Sequence, residues 1–145
     1  MKLGFRAYRP PDDVECLALF DENCPAFFAP NERDDYQAFL REDLSRYEVC
    51  VIDDHVVGAF GVFLEAKGLA LRWILLSPNV QGKGIGSAIM SRVLEVVRGH
   101  GGAVLHIAAS HKSAPFFAKF GAQEVATTPD GFGPGMHRVD MVLKA

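Results

Sequence analysis

Residues 76–87 have the sequence LSPNVQGKGIGS and join an apolar, strand-like segment to a helix with a periodic apolar face. That face is formed by Ile85, Ala88, Ile89, Val93, Val96 and Val97. Glycines in a turn from strand to helix let a ligand approach the main chain, and a helix N-terminus carries about half a positive charge. The segment therefore predicts a binding site for phosphate or pyrophosphate.

Two nucleotide-binding motifs with similar glycines do not match this segment. A P-loop has a first Gly, four intervening residues, a Gly-Lys pair and then Ser or Thr. Here Ser77 holds the place of the first Gly, and Gly84 holds the place of the Ser or Thr. The dinucleotide fingerprint needs a third Gly where Ser87 stands, and no Asp or Glu ends a second strand about 20 residues further on. The pattern that remains is Gln-x-x-Gly-x-Gly over residues 81–86.

Helix signals flank the segment on both sides. Asp12 and Glu15 resemble a capping box, which predicts the start of a first helix. Asn31 is a candidate cap for a second helix that continues to Leu44, and Ser113 for a short helix near the C-terminus.

Alternation and β-branched content predict seven strands. They cover residues 3–7, 48–53, 56–64, 69–76, 103–109, 125–127 and 138–143. The second to fourth form an antiparallel meander, and a loop rich in Gly and Pro separates the last two. Residues 103–109 are apolar without clean alternation, which predicts a strand covered on both faces.

The predicted order is β-α-α-β-β-β-α-β-α-β-β. A strand, a helix and a strand between residues 69 and 109 predict a parallel pair of the fourth and fifth strands. The fold class is therefore α/β, with a mixed, mostly antiparallel central sheet and helices on both faces.

Composition predicts a single cytoplasmic domain spanning residues 1–145. The chain is 49% hydrophobic with a net charge of −3, which argues against disorder and against binding to nucleic acid or an anionic membrane. Its longest apolar stretch, Val56–Leu64, is too short to cross a bilayer. The three cysteines lack metal-ligand spacing, so we expect reduced thiols and no metal.

The chain resembles the GCN5-related N-acetyltransferases (GNAT family). Residues 76–87 are similar to the cofactor loop of that family, and residues 113–121, SAPFFAKFG, to its second signature. The resemblance covers residues 3–143 and is most specific in the cofactor loop. It implies the acyl-CoA N-acyltransferase fold and acetyl-CoA as the co-substrate.

The resemblance also implies roles for residues of the loop and of the strand before it. Backbone amides of the loop would hold the pyrophosphate of CoA, and the pantetheine arm would pair with the strand end at residues 74–76. The implied cofactor-binding residues are Ile74, Leu75, Leu76, Gln81, Gly82, Lys83, Gly84, Ile85, Gly86, Ser87, Ser110 and Phe117.

The catalytic groups depart from the family pattern. Phe117 stands where many members have a Tyr that serves the leaving thiolate, and Ser110 stands where Asn is usual. His106 is a candidate general base because histidine as a residue type can exchange protons near neutral pH, although a satisfied histidine in the core or on a sheet face is the alternative interpretation. Glu65, about 16 Å from Ile74 along a strand, could act only through water.

The acceptor site is expected to be built by the connection between the first two helices and by the start of the sheet. Phe27, Phe28 and Trp73 are candidates for substrate binding, with core packing as the alternative. An acidic cluster could attract a cationic amine, with a solvated helix face as the alternative. The cluster comprises Glu32, Asp34, Asp35, Glu42 and Asp43.

The predicted function is acetyl transfer from acetyl-CoA to a primary amine, in a small molecule or a protein, directly within a ternary complex. The alternative is a non-catalytic sensor or interaction module that keeps the acyl-CoA site, which Phe117 leaves open. A homodimer is compatible with the sequence, which does not distinguish a partner-facing apolar surface from a core surface.

Overall fold

The computed structural model describes residues 2–42, 44–80 and 84–145 of the chain. Within these residues, seven strands and four α-helices follow one another in the predicted order. The strands are β1 Leu3–Ala7, β2 Tyr47–Ile52, β3 His55–Glu65, β4 Gly68–Leu76, β5 Val104–Ser110, β6 Gln123–Gly133 and β7 Met136–Lys144. The helices are α1 Asp13–Glu22, α2 Glu32–Phe39, α3 Ile85–Gly99 and α4 Ala114–Ala118.

The strands form one sheet in the order β1-β2-β3-β4-β5-β7-β6. The meander of β2, β3 and β4 is antiparallel, as predicted, and β4 pairs with β5 in parallel. At the β2–β3 turn, Asp53 and Asp54 both have positive φ, 50° and 66°. Tight hairpins favour this left-handed backbone conformation because it matches the twist of the flanking strands.

Two apolar cores lie on the two faces of the sheet. Helices α3 and α4 pack on one face, and α1 and α2 cover β2, β3 and part of β4 on the other. On β5, Leu105, Ile107 and Ala109 are buried toward α3, whereas Ala108 is exposed. The prediction that this strand is covered on both faces is therefore wrong, because α1 and α2 stop short of it.

The predicted caps Asp12, Asn31 and Ser113 do stand at the N-cap positions of α1, α2 and α4, but none of their side chains bonds a helix amide. The Asp12 carboxylate accepts two hydrogen bonds from the Arg6 guanidinium, both at 2.8 Å, and does not cap α1. The Asn31 side chain does not cap α2, which ends at Phe39 rather than Leu44. A bidentate pair with Arg is a stronger partner for a carboxylate than a helix amide. No helix in the described ranges is long and apolar enough to cross a membrane.

The last hairpin also differs from its prediction. The segment expected to be a loop rich in Gly and Pro is mostly strand, since β6 runs to Gly133 and β7 begins at Met136. The pairing register shifts between Thr128 and Gly133, so the extra residues of β6 bulge out of a continuous hairpin.

Candidate functional site

Strands β4 and β5 separate after a short paired section. Their parallel register runs from Leu69↔Leu105 to Leu71↔Ile107, yet β4 continues to Leu76 and β5 to Ser110. The gap is a cleft of about 1010 Å³ lined by both strand ends. Backbone N–H and C=O groups on this edge of β4 have no partner strand there, so they can pair with an extended ligand.

A bulge in β4 at Trp73 accompanies the separation. Across the β3–β4 ladder, Gly61 pairs with Arg72 and Ala59 pairs with Leu75, so two residues of β4 face one of β3. Trp73 has a φ of 48°, a left-handed value that costs a non-glycine residue about 1–3 kcal/mol. Such a bulge bends the strand and redirects its backbone groups.

A buried pair of hydroxyl groups holds the bulge. Tyr47 Oη donates a 2.6 Å hydrogen bond to the carbonyl oxygen of Trp73. Tyr36 Oη lies 2.9 Å from Tyr47 Oη, and both tyrosines are fully buried. Burial raises the pKa of both phenols well above their ordinary value, so they remain neutral hydrogen-bonding groups.

The start of α3 forms one end of the cleft. Gly84 precedes the helix with a φ of 76°. Apart from its chain neighbours, no atom of the described residues lies within 4 Å of the position that a Cβ would take. A Cβ on Gly86 would lie 2.9 Å from the Phe116 ring, so the glycine allows α3 to approach α4 closely. Gln81, Gly82 and Lys83 lie outside the described residues.

Two further residues of the predicted cofactor loop differ in exposure. The Ile85 side chain is buried in the core, and only its backbone could serve a ligand. Ser87 is exposed in the first turn of α3. Ile74 and Leu76 line the cleft from β4 and are half-buried, whereas Leu75 is buried.

Ser110 and Phe117 both line the cleft from the side of α4. Ser110 Oγ accepts a hydrogen bond from the Ser113 backbone N–H at 3.1 Å and lies 3.0 Å from Ser113 Oγ. Phe117 is 2% exposed and packs edge-to-face on Phe116. The position that could hold an acid therefore holds an apolar ring.

The two base candidates predicted from the sequence lie toward the closed end of the cleft. His106 pairs in register with Ala70, four residues before Ile74, which is about 13 Å along the strand. Glu65 lies at the β3–β4 turn, 3.6 Å from the Arg72 guanidinium. Both residues line the cleft, and their catalytic roles stay predictions.

An aromatic wall forms the other side of the cleft. Phe27, Phe28 and Trp73 line it together, which brings the predicted acceptor residues into one place. The Phe28 ring stacks on Trp73 with centroids 6.1 Å apart, and Trp73 also contacts Tyr36 at 4.8 Å. These side chains therefore pack in the core on one side and face the cleft on the other.

The tip of the β6–β7 hairpin closes the cleft beside the aromatic wall. Asn31 Nδ2 donates a 2.8 Å hydrogen bond to the Phe132 carbonyl oxygen. A Cβ on Gly133 would overlap Asn31 Oδ1 and the Ala29 side chain, so glycine is required for the close approach. The Arg138 guanidinium lies 5.8 Å from the Phe132 ring.

Glu32 lies in a different environment from the other acidic residues of its cluster that the structure describes. Asp34, Asp35 and Glu42 are exposed, but Glu32 is only 7% exposed and lines the cleft, while Asp43 lies outside the described residues. Burial raises the pKa of its carboxyl to about 7. The helical spacing in the sequence indicates this burial, because positions 32, 36 and 39 share the face that Tyr36 and Phe39 bury.

The family model described as the Acetyltransferase (GNAT) family matches residues 16–122 of the sequence. No curated protein sequence matches the chain at a significant level.

Solved structures of similar fold span the whole chain. A protein assigned to the GNAT family of acetyltransferases from Desulfovibrio desulfuricans is 25% identical with a TM-score of 0.81, and the alignment covers 99% of both chains. The ribosomal-protein-S18-alanine N-acetyltransferase of Escherichia coli is 13% identical with a TM-score of 0.80, covering 99% of this chain and 94% of the other. YncA of Salmonella typhimurium, solved with acetyl-CoA, is 18% identical with a TM-score of 0.74, at the same coverage.

Proposed function

The chain belongs to the GNAT family of acetyltransferases, and we propose that it transfers the acetyl group of acetyl-CoA directly to a primary amine. The observation that carries the proposal is the cleft between the diverging ends of β4 and β5, which leaves the β4 edge unpaired. An extended pantetheine arm has the length and the alternating amide groups to pair with such an edge.

Within this proposal, the start of α3 binds the pyrophosphate. The backbone N–H groups of residues 84–87 and the positive end of a 15-residue helix favour a dianionic group there. Gly84 and Gly86 keep the approach to the main chain open. The thioester would then lie beside the β4 bulge, where a backbone N–H of residues 74–76 stabilises the tetrahedral oxyanion.

The acceptor amine enters from the aromatic wall of Phe27, Phe28 and Trp73. Direct transfer is favoured over an acyl-enzyme because, among the described residues that line the cleft, none is a cysteine. Cys16 and Cys50 are fully buried, and burial raises the pKa of both thiols, to about 12 and about 11. Thiols in such surroundings are inert nucleophiles.

Thermal-shift titrations with acetyl-CoA, longer acyl-CoAs, free CoA and phosphate test the cofactor site. A ligand that binds only the folded state at a hundredfold excess over Kd stabilises it by about 2.7 kcal/mol. We expect a clear rise in Tm with acetyl-CoA and none with phosphate. No rise with any CoA species would refute the cofactor assignment.

Release of CoA in the presence of a panel of primary amines tests the reaction itself. Initial-rate plots against both substrates should intersect for a ternary complex, whereas parallel lines would indicate an acyl-enzyme. Binding of acetyl-CoA without turnover of any amine would instead support the sensor.

A further inference from the structure

The Glu32 carboxylate lies at the acceptor end of the cleft and is only partly used by the fold. Its Oε2 accepts a 2.8 Å hydrogen bond from the Ala29 backbone N–H, just before α2. In the part of the chain that the structure describes, no protein group donates to Oε1. No fully buried side-chain oxygen or nitrogen there lacks a partner, so Oε1 keeps some solvent-accessible surface, and Glu32 is one of the residues that line the cleft.

The surroundings of this carboxylate are apolar and aromatic. Ala29, which is close to Glu32 in sequence, and Tyr36, which shares its helix face, are both buried. Phe28 and Phe132 line the same cleft. Burying a carboxylate in such a place is unfavourable unless a cation or several hydrogen bonds compensate it. One hydrogen bond from a backbone N–H does not supply that compensation.

Charged neighbours do not compensate the buried Glu32 carboxylate either. On its own helix, Asp35 repels the charged form, and Arg33 is paired with Asp21 at 2.8 Å. The neighbouring thiol, Cys24, is neutral, since burial raises its pKa.

The arginines that line the cleft are also engaged. Arg72 lies over the Phe39 and Phe63 rings beside Glu65. Arg138 pairs with Asp140 at 3.0 Å. Among the described residues, no cation is within ion-pair distance of Glu32, so the site fits a cation supplied by a ligand.

We propose that Glu32 binds the ammonium group of the acceptor and takes its proton, and that the acceptor carries an aromatic or aliphatic stem. The proposal rests on the proposed acetyl transfer and adds a residue and a substrate class to it. Phe28, Trp73 and Phe132 would hold the stem, since aromatic faces attract both apolar groups and alkylammonium cations.

The protons balance in this scheme. The ammonium gives one proton to the Glu32 carboxylate, and the neutral nitrogen then attacks the thioester carbonyl carbon. As the C–N bond forms and the C–S bond breaks, CoA leaves as a thiolate and takes up the second proton of the amine. The products are the acetamide and CoA thiol, and Glu32 returns its proton to water.

The raised pKa of Glu32 supports the role. A carboxyl with a pKa of about 7 is a stronger base than an ordinary glutamate and is still half ionised at neutral pH. The group then binds ammonium best between that value and the pKa of the amine.

The test compares the wild type with Glu32→Gln, using 2-phenylethylamine as the acceptor. The Gln carbonyl can keep the hydrogen bond from Ala29, and the rise in Tm with acetyl-CoA reports that the variant is folded. For the wild type, we expect kcat/KM to rise with an apparent pKa near 7. Glu32→Gln should lower kcat/KM at pH 8 by about a hundredfold or more. It should also remove the rising limb of the pH profile, which is the increase of kcat/KM with pH.

Two controls separate this role from a structural one. Asp34→Asn removes an exposed carboxylate from the same helix and should leave the profile unchanged. His106→Ala, measured in parallel, tests the other base candidate. A second measurement uses the wild type alone: with CoA bound, 2-phenylethylamine should raise Tm at pH 8 but not at pH 5, and neutral 2-phenylethanol should raise it at neither pH.

The outcomes distinguish the two proposals. An active Glu32→Gln variant with the wild-type pH limb would overturn the role of Glu32 and leave acetyl transfer standing. Loss of the limb in His106→Ala alone would assign the base to His106. A wild type that binds acetyl-CoA but acetylates neither 2-phenylethylamine nor any other primary amine would overturn the proposed function and the role with it.

Discussion

Tyr47 donates its hydroxyl hydrogen to the Trp73 carbonyl oxygen across 2.6 Å, and this bond joins β2 to the bulge of β4. The bulge is where β4 turns its free edge toward the cleft. A side chain on one strand thus sets the backbone of another at the point where the thioester is proposed to lie.

Tyr47→Phe should disturb the bulge. It leaves the Trp73 carbonyl and the Tyr36 hydroxyl without this partner in a buried site, which costs about 1–3 kcal/mol of unfolding free energy. We expect KM for acetyl-CoA to rise along with the loss of stability. Tyr8→Phe is the control, because Tyr8 also donates to a backbone carbonyl, that of Leu40 at 3.3 Å, away from the bulge. Equal kinetics in both variants would show that the bulge does not depend on Tyr47.

Gly84→Val should abolish acetyl-CoA binding and leave the fold intact. The left-handed φ of 76° disfavours valine by about 1–2 kcal/mol, so the first turn of α3 must rearrange. Gly101→Val is a matched control, since Gly101 has a φ of 72° and equally open surroundings beyond the other end of α3. Both variants should lose similar stability in a denaturant titration, and only Gly84→Val should lose the acetyl-CoA thermal shift. Retained binding in Gly84→Val would remove the pyrophosphate from this turn.

Glu32→Gln should stabilise the protein increasingly as pH rises. The folded state holds a proton on Glu32 that the unfolded chain releases, because the pKa is raised from 4.5 to about 7. Wild-type stability from this group is therefore fully present below pH 4.5 and is lost as pH rises to 7, by at most about 3 kcal/mol. Tm measured from pH 4 to 8 should show the variant gaining on the wild type across that window. A constant difference would mean that the carboxyl titrates normally.

Phe117→Tyr should raise kcat. The ring lines the cleft, and a phenol at this position could protonate the departing thiolate, with a gain of about tenfold at most for a group placed without further adjustment. Phe120→Tyr adds the same hydroxyl to the other end of the same segment and should have no effect on kcat. An unchanged kcat in Phe117→Tyr would indicate that thiolate protonation does not limit turnover.

The order of elements and the parallel pair of β4 and β5 could be predicted because they depend on local patterns. Alternation, helical spacing and the glycines before α3 each act over a few residues, and together they placed the parallel pair of β4 and β5. The bulge at Trp73 could not be predicted, since it depends on how β4 pairs with β3 and on a hydroxyl from β2.

Side-chain environments were harder to predict than the elements. In the sequence, Glu32 was grouped with its charged neighbours. It differs from Asp34 and Asp35 because it lies on the face of α2 that packs against the aromatic core. Asn31 precedes α2 as predicted, but its side chain bonds Phe132, a residue 101 positions away, instead of a helix amide. Contacts of that range leave no trace in a local pattern.

The short pairing of β4 with β5 divides the sheet into two plates, β1–β4 and β5–β7, joined along the ladder by three residue pairs. A pantetheine arm between the free strand ends would fasten the plates together and supply one wall of the acceptor chamber. Acetyl-CoA should therefore add before the amine in a compulsory order. Those amide hydrogens of residues 74–76 that point to the free edge should exchange rapidly with solvent until it does.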